Sequence, residues 1–164
     1  MNRRWTATAR IILAGMLVGV AGCATTPDYE PKVTRVFVEA NPLEGYSQVL
    51  VLPLSKVSIP IDPKPVLSEL DIVGVDLVRV DLGLCLDFRL TPAAGRDLYR
   101  LSVNRMGRRL VLTINGVPVG VRLMDRPFSY GSIMFFVEIP NDELDKLVAD
   151  LQATAIDVQK AIDE

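Results

Sequence analysis

Alternation of apolar and polar residues is strongest between positions 75 and 90, in the segment VDLVRVDLGLCLDFRL. Every second residue from Val78 to Leu90 is apolar, and the positions between them hold arginine, aspartate, glycine or cysteine. A period of two is typical of a β-strand with one buried face. We therefore predict one long strand here, in which Gly83 permits a bend or a bulge.

The residues after this strand predict a helix, a hairpin, another strand and a second helix. Thr91-Pro92 supplies an N-cap and a first-turn proline, and Asn115-Gly116 stands between two β-rich runs as a hairpin turn. SIMFFVEI at 132–139 predicts a strand, and helical spacing of apolar residues extends from Leu144 to Ile162. This order predicts the α+β class: an antiparallel sheet with two helices on one face, a ferredoxin-like two-layer sandwich.

The segment before this domain is less regular. VTRVFVEA at 33–40 predicts a first strand, and QVLVLPL at 48–54 predicts a strand that its proline limits to an edge or a strand end. Pro60, Pro63 and Pro65 predict a loop or an irregular edge. We therefore assign 33–74 to N-terminal strands and proline-rich loops, and 75–164 to the α+β domain.

The first 22 residues have the composition of a bacterial export signal. Positions 1–10 hold three arginines and no acid, and the uncharged run IILAGMLVGVAG follows at 11–22. This run is shorter than the roughly 20 apolar residues that a spanning helix needs. VAGC at 20–23 resembles the lipobox of bacterial lipoprotein precursors, which implies cleavage between Gly22 and Cys23 and lipidation of Cys23, palmitate included. The alternative is an ordinary secretory signal whose cleavage site contains a cysteine.

The lipoprotein resemblance also implies a location. Ala24 follows the cysteine where an aspartate would favour inner-membrane retention, so the chain is expected at the outer membrane, facing the periplasm of the cell envelope. Several acyl chains satisfy the requirement for more than one lipid in stable anchoring. The lipidated cysteine and the polar residues after it, 23–32, predict a short tether between the membrane and the domain.

Composition narrows the possible functions. The sequence has no histidine, which removes the commonest general base and metal ligand. Loss of the signal removes three of the 18 basic residues and leaves 15 against 20 acidic ones, a net charge of −5. An acidic domain has no electrostatic reason to bind nucleic acid. We expect no metal, no cofactor and no enzymatic activity.

Two groups of reactive side chains have structural explanations. On a single strand Asp81 and Asp87 would lie roughly 20 Å apart at ~3.3 Å per residue, which excludes a site shared by that strand alone. With Arg79 and Arg89 beside them, Asp76, Asp81 and Asp87 are predicted to form cross-strand charge pairs on a solvated face. Cys85 is expected to be a half-buried thiol, with an intermolecular disulfide as the alternative.

A cluster of Arg105, Arg108 and Arg109 stands near the end of the first predicted helix. Favourable interaction with the helix dipole explains such a cluster, and an anionic ligand is the alternative.

Aromatic residues near the last strand predict a possible partner surface at Phe128, Tyr130 and Phe136. Phe135 and Phe136 are adjacent on one strand and must face opposite sides. At least one of them is therefore expected outside the core that the helices cover, where it could support strand addition or docking of a partner. A second layer made by the N-terminal strands would hide it instead.

The segments FRLTPAAGR at 88–96 and GRRLVLTING at 107–116 are similar to the head subdomain of the first periplasmic domain of SecD, a protein-export membrane protein. Pro127 and Gly131 occupy places comparable with those of that family. The resemblance covers roughly 75–159 and implies an α+β fold and contact with polypeptide in the periplasm. The chain departs from SecD in having no membrane-spanning helix beyond the export signal, and 43–71 does not match the base subdomain of the family.

These observations favour a non-enzymatic, lipid-anchored envelope protein that binds a protein partner or a polypeptide through its α+β domain. One alternative is a structural lipoprotein of envelope assembly that acts as an oligomer. The other is a hydrolase that uses carboxylates alone, which would need two acids converging in a cleft.

Overall fold

The computed structural model describes residues 28–41, 43, 45–128 and 131–164. The predicted export signal, Cys23 and Tyr130 lie outside the described residues. Six antiparallel strands form the main sheet in the order β1-β6-β7-β8-β5-β4, and β2 and β3 form a separate two-stranded sheet. The strands are β1 (Thr34–Val38), β2 (Gln48–Val51), β3 (Ser58–Ile61), β4 (Ile72–Val80), β5 (Gly83–Leu90), β6 (Arg109–Ile114), β7 (Val117–Leu123) and β8 (Ser132–Val137).

Two helices, α1 (Pro92–Asn104) and α2 (Asn141–Asp163), pack on one face of the main sheet. Leu98 of α1 and Leu151 of α2 belong to the same buried cluster as Phe88 and Phe135, whose rings meet edge to face with centroids 6.1 Å apart. The predicted α+β sandwich is therefore confirmed. Strand β1 pairs with β6, so the 33–74 segment and the 75–164 segment share one sheet.

The predicted helix start and hairpin turn are confirmed. The Thr91 hydroxyl accepts a hydrogen bond from the Ala94 amide at 3.3 Å, and Pro92 is the first helical residue. Asn115 and Gly116 have φ angles of 50° and 79°, the left-handed conformation that a tight turn of this kind requires.

The prediction of one long strand from 78 to 90 is wrong. The chain reverses at Asp81 and Leu82, so that β4 and β5 form a hairpin in which Val80 lies opposite Gly83. Gly83 has a φ of 128° and is part of this reversal instead of a bulge within a strand.

The reversal also changes which side chains share a face. Residues directly opposite each other in an antiparallel pair point to the same side of the sheet. Leu77 lies opposite Leu86, and Val78 lies opposite Cys85. Leu77 on β4 and Leu86 on β5 therefore both face the helices, although one has an odd number and the other an even one. Val78 and Cys85 face away from the helices.

The two-stranded sheet of β2 and β3, here called the β2–β3 hairpin, packs on the opposite face of the main sheet. Ile59 and Ile61 are each 1% exposed and form a second buried cluster with Val111. Pro60 lies within β3, where the prolines predicted a loop or an irregular edge. A ribbon of two strands consists only of edges, which is where proline is tolerated.

A strap of four residues, 29–32, lies along α2. The Tyr29 hydroxyl donates to Asp157 at 2.6 Å, and the Lys32 amide donates to the Thr154 hydroxyl at 3.0 Å. The Lys32 ammonium lies 3.8 Å from Asp150, whose residue is 5% exposed. Lys146 also bonds Asp150 and holds the pKa of that carboxyl below its ordinary value. The end of the predicted tether is thus bound to the domain.

Candidate functional site

The candidate site lies on the face of the main sheet that points away from the helices, here called the hairpin face. The strand register places Phe37, Val111, Val121 and Phe136 in one row across β1, β6, β7 and β8. This row begins beneath the β2–β3 hairpin and ends outside it. We call the part of the hairpin face that β1, β6 and β7 form the covered half, and the part that β8, β5 and β4 form the open half.

The covered half is a closed apolar core. Val111 is fully buried, and Phe37, Leu50 and Val121 pack against its cluster. The turn of the β2–β3 hairpin lies away from this cluster and is attached separately, by Glu138. The Glu138 carboxylate accepts hydrogen bonds from the amides of Leu54 and Ser55 at 2.7 and 3.1 Å.

These hydrogen bonds favour the ionised form of Glu138. A side-chain hydrogen bond with Ser55, together with the amides of Leu54 and Ser55, holds the pKa of the carboxyl below its ordinary value. The ionised carboxylate of Glu138, which follows β8, therefore helps to fix the turn of the β2–β3 hairpin.

The open half exposes apolar side chains. Met134 and Phe136 of β8 are 42% and 37% exposed. Val78 and Val80 of β4 point to the same side and are half-buried. These apolar groups lie on the two strands that flank β5, and together they form a surface that a partner can cover.

Cys85 lies on the same side of the sheet but is buried, with 1% of its surface exposed. Its thiol donates to the Val78 carbonyl at 3.5 Å. Burial raises the pKa of the thiol above its ordinary value, and the charge of Asp87 raises it further. A buried, protonated thiol is a poor nucleophile and does not reach another copy of the chain for a disulfide.

The prediction that the aspartates of this region share no site rested on a single strand and is corrected by the hairpin. Asp76 lies directly opposite Asp87 on the hairpin face. Arg89 bridges Asp76 at 3.0 Å, as expected for a cross-strand charge pair, and one Asp87 oxygen is buried without a hydrogen-bond partner. Both carboxylates belong to the open half of the hairpin face, where the side chain of Asp76 is 55% exposed.

The outer edge of β4 offers backbone groups for strand pairing. The Val75 amide points outwards, because it donates to the Gln152 side chain of α2 at 2.8 Å. Alternation along an antiparallel strand then directs the amides of Leu77 and Arg79 outwards as well. Within the described residues these two amides have no such partner from α2 or any loop. The edge beside the open half is therefore available for an added strand.

The structure separates the aromatic residues that predicted a partner surface. Phe136 lies on the open half. Phe128 lies on the helix side, where it packs against the main core and the guanidinium of Arg122 stands 5.9 Å from its ring centroid. Tyr130 lies outside the described residues. The second layer predicted as an alternative is present, but it covers Val111 and leaves Phe136 exposed.

The arginine cluster connects the residues that follow β1 and β3 with the start of β6 and the end of α1. Arg109 forms a two-pronged ion pair with Glu39, with one contact at 2.9 Å, and lowers the pKa of that carboxyl. Arg108 donates to the Glu39 carbonyl at 3.2 Å, and Arg105 lies 3.5 Å from Asp62. The cluster therefore serves the attachment of these strands.

Sequence reasoning missed Met134, Val78 and the free edge of β4. A usable signal was Asp81-Leu82-Gly83, since a two-residue turn followed by glycine can interrupt an unbroken alternation. Among residues 28–41, 43, 45–128 and 131–164, no group of three potential metal ligands comes together. No helix in this part of the chain is long and apolar enough to cross a bilayer.

Comparison with known proteins gives a structural likeness alone. No family model and no curated protein sequence matches the chain. A solved structure of SecDF, described as a membrane component that enhances protein export, has a TM-score of 0.57 at 12% identity and is matched over 76% of this chain and 63% of its own. A second SecDF structure, in a super-membrane-facing form, has a TM-score of 0.56 at 14% identity over 75% of this chain and 18% of its own. The chain thus spans less than two thirds of either protein, and the likeness supports the predicted SecD-like fold.

Proposed function

We propose that this chain is a non-enzymatic, lipid-anchored protein of the cell envelope that binds an extended polypeptide at the open half of the hairpin face. The observation that carries the proposal is the exposure of Met134 and Phe136 on the open half, whose outer strand β4 has an unpaired edge. An extended segment can add a strand at that edge through its backbone and place alternate side chains beside Val78 and Val80 of β4, with β5 between them and the exposed side chains of β8.

Two further observations support this assignment. The fold is similar to that of SecDF, a membrane component that enhances protein export, and a role near exported polypeptide agrees with an extended ligand. The lipobox-like VAGC at 20–23 supports attachment through a lipidated Cys23 at the outer membrane. Membrane attachment would keep the open half near polypeptides that cross the periplasm.

Binding is tested with the full chain purified in detergent and a fluorescently labelled, permanently unfolded polypeptide, followed by fluorescence anisotropy. Phe136→Ser combined with Met134→Ser should weaken binding by about tenfold or more, because it removes the apolar anchors. Val49→Ser is the matched control, since Val49 is 58% exposed on the outward side of the β2–β3 hairpin. Equal effects of the two variants, or no binding by the natural chain, would contradict the proposal.

The contribution of the free edge is tested by Arg79→Pro. Proline removes one outward amide, and no bond of the β4–β5 ladder is lost, because that amide points away from β5. We expect weaker polypeptide binding at an unchanged circular dichroism spectrum. Full binding by a folded Arg79→Pro variant would exclude strand addition at this edge.

Lipid attachment is tested by mass spectrometry of the chain extracted from bacterial membranes, beside Cys23→Ser. The proposal requires a mature N-terminus at Cys23 with added acyl mass, absent from the variant. An unlipidated chain cut at another position would remove the anchor. Robust substrate turnover by the purified chain would contradict the non-enzymatic assignment.

A further inference from the structure

Charge is divided between the two halves of the helical side. The chain from 92 to 126, which contains α1, has seven arginines and two aspartates. The chain from 138 to 164, which contains α2, has eight acidic residues and two lysines. Five of these seven arginines follow α1, so α1 itself has a net charge of +1 and α2 has one of −4, and both helices pack on the same face of one sheet. The two helices therefore present net charges of opposite sign on one side of the sheet.

The outward side of α1 combines positive charge with apolar groups. Tyr99 and Val103 are each 46% exposed, and they stand one turn apart between Arg96 and the helix end. Within the described residues Arg96 has no ion-pair partner, and Arg100 pairs only with its neighbour Asp97, where both side chains are 73% exposed. Such an exposed pair contributes little and can exchange partners.

The outward side of α2 is acidic at its start and apolar further along. Asp142 and Asp145 are exposed and, among the residues that the structure describes, form no ion pair. Ala149, Ala153 and Ile156 continue the same side, and Ile156 is 55% exposed. Small side chains at this spacing let another helix approach closely. The strap lies on a different side of α2, at Asp150, Thr154 and Asp157, and leaves this side uncovered.

We propose that the helical side binds a second copy of the chain, with α1 of each copy against α2 of the other. Because both helices lie on one face, a single twofold axis creates both contacts at once. Arg96 and Arg100 then meet Asp142 and Asp145 of the second copy, and the apolar groups of the two helices are covered. The hairpin faces remain on the outside of such a dimer, so the inference does not depend on polypeptide binding there.

The test is sedimentation velocity of the full chain in detergent at 0.15 M and 1 M NaCl. The natural chain should show twice the monomer mass at low salt and dissociate at high salt, where the screening length falls to about 3 Å. Arg96→Glu with Arg100→Glu should weaken association by about tenfold or more, because like charges then face each other. Asp142→Arg with Asp145→Arg should have the same effect for the same reason.

An equimolar mixture of these two double variants provides the decisive measurement. Each mixed pair restores opposite charges at both helix contacts, so the mixture should form dimers that neither variant forms alone. Lys56→Glu is the control, because it reverses a charge at an exposed position in the turn of the β2–β3 hairpin, away from both helices, and should leave association unchanged.

Three results would overturn the inference: a natural chain that stays monomeric, double variants that associate as well as the natural chain, or a mixture that stays monomeric while the natural chain dimerises. Loss of association by Phe136→Ser would place the contact on the hairpin face and would also overturn it. Polypeptide binding is measured separately by anisotropy, so failure of one proposal leaves the other to be judged alone.

Discussion

The covered and open halves of the hairpin face share one row of apolar side chains, and these side chains are buried in one half and exposed in the other. Val111 is fully buried under Ile59 and Ile61, whereas Phe136, in the same row of the sheet, is 37% exposed. Nothing in the strands of the main sheet requires this difference. It depends on where a separate pair of short strands comes to rest, so a strand pattern alone does not define a binding surface.

The length of the β2–β3 hairpin explains where the cover ends. Each of its strands has four residues and spans about 13 Å, which matches nearly three of the ~4.8 Å spacings between strands. The main sheet has six strands and therefore five such spacings. Since one end is bonded at Ala40 beside β1 and the turn is bonded at Glu138 after β8, β5 and β4 lie beyond its reach.

The largest expected difference comes from a lysine placed in each half. Val111→Lys buries an ammonium group without a partner and should destabilise the fold by about 4 kcal/mol or more, or prevent folding. Met134→Lys places the same group on the open half opposite Asp87, where the change should stay within about 1 kcal/mol. Urea denaturation followed by circular dichroism measures both. Comparable losses would mean that the open half is covered in solution.

A smaller difference is expected between the two sides of the β2–β3 hairpin. Ile59→Ala creates a cavity above Val111 and should cost about 2–5 kcal/mol. Val51, on the outward side, is 49% exposed, so Val51→Ala should change the free energy of unfolding by about 0.5 kcal/mol or less. The midpoint of urea unfolding is the measurement. A loss for Ile59→Ala below 1 kcal/mol would show that the cover is loosely attached.

Removal of the carboxylate that holds the turn should have a still smaller effect. Glu138→Gln should cost about 1 kcal/mol and raise amide hydrogen exchange at Leu54 and Ser55, because their acceptor is weakened. The pKa of Glu138 is lower in the folded chain than its ordinary value of 4.5, so its stabilisation is present above pH 4.5 and is lost as the pH falls through the folded pKa. Glu138→Gln should therefore lack this part of the acid dependence, and an unchanged exchange rate would contradict the attachment.

The smallest expected effect on stability comes from the test of Cys85, because the accessibility of its thiol is measured in the natural, folded chain. The natural thiol should react with iodoacetamide at pH 8 about a hundredfold or more slowly in the folded chain than in urea, since it is buried and its pKa is raised. The strand register brings Phe136 beside this residue, so Phe136→Ala should increase the folded-state rate. Cys23→Ser provides the background, and mass spectrometry follows the reaction. Rapid alkylation of the natural chain would show that β5 opens readily.

Local signals predicted most elements of the fold. Thr91-Pro92 and Asn115-Gly116 act within a few residues, and their sequence is sufficient to start a helix and to form a turn. The β4–β5 reversal was hidden because apolar residues continue at every second position through it. The apolar residues of this series on β4, Val78 and Val80, lie on the hairpin face, whereas those on β5 face the helices.

The candidate site was only partly predictable for a different reason. The alternation at Phe135 and Phe136 correctly placed one ring on each side of the sheet. Whether Phe136 would be covered depended on contacts between residues far apart in the chain, such as Leu54 with Glu138. Propensities and periodicity describe neighbours along the chain and contain no information about such contacts.

The strap gives the chain a particular mechanical property. A pull from the N-terminal side reaches Tyr29, Glu30 and Lys32 before it reaches the edge strand β1. Tension on an anchored chain would therefore be carried first by a 23-residue helix that is packed across β4, and only afterwards by the β1–β6 ladder. If Cys23 holds the chain at a membrane, a load applied by a bound polypeptide passes into α2 and the core beneath it instead of peeling β1 from the sheet.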